Sequence, residues 1–152
     1  MRDLLHPHLC RADLLNQQIR ACHKRGIRVP VYLTVQWDNR VSNERADWVV
    51  LDIEGNAHGA GVESGPYQPG FYTFLCVNSP YFDFLKANVK DIFESVEAVD
   101  GLFFDIVGPM DCSCYYCRKE MREKGIDASD DQSRIRFSFD TVNRFKREMT
   151  EY

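Results

Sequence analysis

The sequence has no run of about 18 apolar residues, so it carries no segment that reads as a membrane-spanning helix. Its opening, Met1-Arg2-Asp3-Leu4-Leu5-His6-Pro7, lacks the apolar core and small-residue cleavage site of an export signal, and the expectation is a cytoplasmic protein. No block of one charge occurs either. The 23 acidic and 19 basic residues are dispersed and leave a net charge of -4, so neither nucleic acid nor a membrane surface is expected as a partner. Internal repeats and low-complexity stretches are absent. With 44% hydrophobic and 28% charged residues in 152, the composition is that of about one ordinary globular domain.

Cysteine, by contrast, is concentrated. Six cysteines would suit a disulfide set in an exported chain, but three of them fall in Cys112-Ser113-Cys114-Tyr115-Tyr116-Cys117. Thiolates at Cys-x-Cys-x-x-Cys spacing can converge on one tetrahedral ion, and a fourth, distant ligand closes a structural site. Reduced thiols holding zinc are expected, with free or oxidised cysteines as the alternative. Cys10 and Cys22 lie far upstream and could compete for the fourth place, although Cys22 sits on an apolar helix face as a packed thiol.

Just before the cluster, Leu102-Phe103-Phe104-Asp105-Ile106-Val107 is apolar at every position but one, as in a parallel strand covered on both faces. A side-chain period of two puts Leu102, Phe104 and Ile106 on one face and Phe103, Asp105 and Val107 on the other. Asp105 then stands near the C-terminal end of a strand, where α/β sheets place their ligand sites. An ion-paired structural carboxylate is the competing reading.

The remaining elements follow in order. Leu15, Ile19 and Cys22 mark a helix near residues 11 to 25, ended by Gly26. Residues 27 to 35 read as a strand with aliphatic odd positions, although Pro30 counts against full pairing. Tyr32, Thr34, Gln36 and Asp38 share its other face. From Gln36 to Gly70 the period is lost while Trp37, Trp48 and Tyr67 remain, which suggests a long substrate-covering loop, with a small hairpin turning at Gly55-Asn56 inside it. A short strand over 71 to 77 leads to Ser79 as a helix cap and to an amphipathic helix reaching about residue 97. The whole is a strand, loop, helix, strand unit of the βαβ kind. A short helix from Tyr115 to Lys124, a polar turn at 127 to 131 and a last helix marked by Ile135, Phe139, Val142, Phe145 and Met149 complete the chain. His6, His8 and His23 read as structural, with His58 left open.

His6-Pro7-His8-Leu9, Ala21-Cys22-His23-Lys24-Arg25-Gly26-Ile27-Arg28-Val29, Asp47-Trp48, Asn78-Ser79-Pro80-Tyr81 and Asp100-Gly101-Leu102-Phe103-Phe104-Asp105 resemble the central barrel segment of glycoside hydrolases related to α-L-fucosidases. The resemblance runs over nearly all of residues 6 to 122. It implies an α/β fold that is part of a (β/α)8 TIM barrel, about strands 3 and 4 with their helices and a long β/α loop. It also implies O-glycosyl bond hydrolysis on a carbohydrate substrate. In α-L-fucosidases the aspartate closing the fourth strand is the nucleophile of a retaining mechanism, a role that falls on Asp105. The cysteines are similar to those of trimeric β-galactosidases, which carry a Cys…Cys-x-Cys-x-x-Cys zinc site after the fourth strand, and this likeness adds Cys76 to Cys112, Cys114 and Cys117. There the carboxylate near the strand end is the acid/base, so the role of Asp105 stays open between the two.

Trp37 and Tyr32 offer apolar faces suited to a sugar ring, and Gln36 and Asp38 could take its hydroxyls, with Asn78 as a further contact implied by the resemblance. Each could equally be a core or strand-end residue. Asp38, Glu54 and Glu63 carry no motif that would make any of them the second carboxylate, which a retaining enzyme needs about 5 to 5.5 Å away. Because a full barrel takes about 250 residues, the chain reads as a single partial-barrel domain over residues 1–152, inactive by itself. Such a fragment would associate with copies of itself or with the remainder of a parent barrel. A non-catalytic, zinc-stapled module that binds carbohydrate or protein is the other reading.

Overall fold

The computed structural model describes residues 8–60 and 72–152, so Glu63 and Tyr67 of the expected loop, together with His6, lie outside the described residues. The elements run α1 (Leu14–His23), β1 (Val31–Thr34), α2 (Asn39–Glu44), a 3-10 turn (Ala46–Trp48), β2 (Gly59–Ala60), β3 (Tyr72–Thr73), α3 (Tyr81–Ser95), β4 (Leu102–Asp105), α4 (Tyr115–Glu123) and α5 (Asp131–Glu151). The result is a mixed α/β chain with a two-stranded parallel sheet of β1 and β4. It divides into two compact units: Met1–Leu33 with Phe84–Asp105, and Thr34–Asp83 with Ile106–Tyr152.

In the first unit β1 is shorter than the sequence suggests. Pro30 has no N–H to give a ladder, and pairing begins one residue later, where the Val31 N–H donates to the Gly101 carbonyl at 2.9 Å. The preceding turn is held by Asp100, whose carboxylate accepts from the Val29 N–H at 2.7 Å and meets His23 Nε2 at 2.6 Å. Those two contacts, the backbone one foremost, hold the Asp100 carboxyl below its usual range. Gly26 ends α1 in the left-handed region, φ +71°. Asn16 clamps the end of α3, donating to the Ser95 carbonyl and accepting from the Glu97 N–H. Ile19, Val31, Leu85 and Val89 are its buried apolar side chains.

In the second unit the described residues of the expected loop form short elements. Asp38 caps α2 by accepting from the Val41 N–H at 2.9 Å. The expected turn exists: Leu51 bridges Ala57, and the Asp52 carboxylate accepts from the Asn56 N–H at 2.7 Å. β2 and β3 pair antiparallel, Gly59 opposite Thr73. The core is sulfur-rich, with Val50, Phe74, Cys76, Cys112, Cys114, Cys117, Met121 and Phe137 packed together. α4 ends at Gly125 (φ +66°), and Asp130 caps α5 by accepting from the Ser133 N–H. The buried stripe of α5 differs from the apolar pattern. Arg134, Phe137, Ser138, Thr141, Val142, Phe145 and Met149 point inward, while Ile135 and Phe139 face out at 39% and 50% exposure. Arg134 can be buried because Asp111, Asp131 and the Ala128 carbonyl take its N–H groups. No described helix is long and apolar enough to cross a membrane.

Candidate functional site

Within the first unit, β1 and β4 place Tyr32, Phe103 and Asp105 on one sheet face. The Tyr32 hydroxyl donates to Asp105 Oδ2 at 2.9 Å, and the Tyr32 and Phe103 rings lie 5.7 Å apart. Both aromatics are more than half exposed while Asp105 is half-buried. Tyr32 therefore meets the carboxylate itself. The next residue, Ile106, is the one described non-glycine residue with positive φ, at +53°. A β-branched side chain pays for the left-handed conformation, and such strain gathers at functional positions.

Within the second unit, three segments deliver four sulfurs. Cys76 follows β3 and is fixed by its N–H donating to the Trp48 carbonyl at 2.8 Å. The 112–114 segment is pinned where the Ser113 N–H donates to the Leu51 carbonyl, and Arg118 donates to the carbonyls of Ser113 and Ile53. Cys114 occupies the N-cap position of α4 and Cys117 its first turn, where the helix dipole favours a thiolate. All four sulfurs lie within 4.8 Å of one another, Cys76 and Cys117 at 3.5 Å, and no residue of the four is more than 6% exposed. Thiolates about 2.3 Å from a tetrahedral ion would stand about 3.8 Å apart. The four cysteines thus form a group able to hold a metal ion, and Cys10 and Cys22 are no part of it.

The four sulfurs also shift one another's acidity. Hydrogen bonds from Cys112, Cys117 and Cys76 hold the Cys114 thiol far below its ordinary range. Hydrogen bonds with Cys112 and Cys114 push Cys117 up, and those with Cys112, Cys114 and Cys117, reinforced by burial, push Cys76 up. Metal binding to such a group requires thiolates, so it would release protons.

The other expected site residues have identified neighbours. Gln36 is buried, with Oε1 accepting from the Gly108 N–H at 2.7 Å, and Trp37 packs on Phe74 with rings 5.5 Å apart. Asp38 is engaged as the α2 cap. The Asn78 amide donates to Cys117 Sγ at 3.7 Å and accepts from Arg144. His58 lies against the Phe74 ring at 5.3 Å. Sequence reasoning missed Arg144 and Glu120, which carry no motif and meet only through the packing of α4 against α5.

The family model described as hypothetical glycosyl hydrolase 6 matches residues 3–106. The chain belongs to that family. Its fold is similar to α-L-fucosidase isoenzyme 2 from Paenibacillus thiaminolyticus, at a TM-score of 0.80 and 30% identity over 93% of this chain. The chain spans 20% of the length of that fucosidase. No protein of curated function matches it. The family match ends at Ile106, so it takes in the Asp105 strand and Cys76 but not the Cys112-to-Cys117 segment.

Proposed function

We propose that this family member is a catalytic-domain segment of a retaining glycoside hydrolase, fucosidase- or galactosidase-like, forming about strands 3 and 4 of a (β/α)8 barrel. The observation that carries the reading is the half-buried Asp105 at a strand end, held by Tyr32 on an aromatic face. In an oxocarbenium-like reaction it serves as one of two carboxylates, nucleophile or acid/base, and the second comes from outside residues 1–152. Tyr32 orients it by donating to Oδ2. The metal is zinc, in a closed structural site with Cys76, Cys112, Cys114 and Cys117 as its four thiolate ligands, which supplies folding energy and no chemistry.

With its second carboxylate supplied from elsewhere in the complete domain, the chain alone should hydrolyse aryl α-L-fucosides and β-galactosides at no more than the buffer rate. Grafted in place of the matching segment of the Paenibacillus fucosidase it should support turnover, and Asp105→Asn in that chimaera should cost several orders of magnitude in kcat. Equal turnover with and without Asp105→Asn would overturn the assignment. Hydrolysis by the isolated chain that vanishes in Asp105→Asn would overturn its inactivity.

A further inference from the structure

Of the buried sulfurs, Cys117 receives a donor from a side chain other than cysteine. Asn78 Nδ2 lies 3.7 Å from it, and the Asn78 amide is held in that orientation because Arg144 donates to its Oδ1. Arg144 is held in turn by Glu120, which accepts both guanidinium nitrogens, Oε2 at 3.0 Å from the second, while Lys124 meets Oε1 at 2.6 Å. The geometry therefore runs from Glu120 through Arg144 and Asn78 to a sulfur.

We propose that Asn78 and Arg144 are positioning residues of the cysteine centre, tuning the Cys117 thiolate that binds the metal. This inference rests on the metal reading above. The physical need is clear. Four thiolates around a dication leave two net negative charges in the core, and a buried charge is costly unless hydrogen-bonded and paired. An amide N–H on Cys117 draws off part of that charge, and the guanidinium behind it polarises the amide. Outer partners of this kind orient the ligand and set the strength of the metal bond. The same contacts give Asn78 a role distinct from touching a sugar.

The test is metal binding by the reduced 152-residue chain, with cobalt(II) followed by its thiolate-to-metal absorption and zinc by competition with a chromophoric chelator. Asn78→Asp is the decisive variant, since a carboxylate still accepts from Arg144 but offers no N–H to sulfur. Asn78→Ala separates that loss from the added charge. Both should weaken binding by about 10- to 100-fold and shift the cobalt band, and Arg144→Met, which touches no sulfur, should lose less in the same direction. Wild-type affinity and an unshifted band in both Asn78 variants would overturn the inference and leave the metal site standing. Weakened Asn78 variants beside an unchanged Arg144→Met would overturn the role of Arg144. A wild-type chain that takes up neither metal, with its thiols freely titratable, would overturn the metal reading and this inference with it.

Discussion

Glu120 shows how one charge is set by its neighbours. The Arg144 guanidinium, with Lys124 behind it, outweighs partial burial and holds the Glu120 carboxyl at about 2. A carboxyl depressed in the folded state stabilises the protein above its unfolded value near 4.5, and the contribution fades as pH falls toward 2. Glu120→Gln should therefore cost on the order of 2 kcal/mol at pH 7, after allowing for solvent screening of the partly exposed Arg144. In urea unfolding the gap to wild type should narrow below pH 4.5 and close near pH 2; a pH-independent gap would show that packing is responsible instead. At this scale the sequence was legible where chemistry is local. The Cys-x-Cys-x-x-Cys spacing and the parity of the Asp105 strand needed no tertiary knowledge. The bond from Tyr32 to Asp105 depends on the pairing of β1 with β4, and the contacts of Asn78 depend on the position of α5, neither of which any local pattern encodes.

The element that reads most easily is also the one whose buried face departs from its hydropathy. The periodicity of α5 announces a helix, but a stripe drawn through Ile135 and Phe139 omits Phe137, which is 4% exposed. The inward face includes Arg134 and Ser138 because Asp111 and backbone carbonyls satisfy them, so hydropathy alone rotates the helix wrongly. Phe137→Ala should destabilise by about 3 to 5 kcal/mol. Phe139→Ala, on the open side, should stay within about 0.5 kcal/mol in the same denaturation measurement, and equal costs would contradict the observed rotation. β1 is short for a reason visible in Pro30, whereas the six residues of α2 are too few to show a period.

At the scale of the molecule, each unit keeps apolar side chains in solvent. The first exposes Tyr32 and Phe103 on its sheet face, and the second exposes Ile135 and Phe139 on α5. Such surfaces favour association, and sedimentation of the chain should show mass rising with concentration; a monodisperse monomer throughout would count against an open sheet face. The cysteine group has a consequence of another kind. A metal joining Cys76 to the Cys112–Cys117 segment would turn residues 77 to 111 into a closed ring that contains α3, β4 and Asp105. By analogy with a disulfide across a loop of that length, closure would remove about 4 kcal/mol of chain entropy from the unfolded state. The folding of the ring that bears the carboxylate would then depend on metal supply, and a cell short of the metal would hold less of the chain folded without any change in its residues.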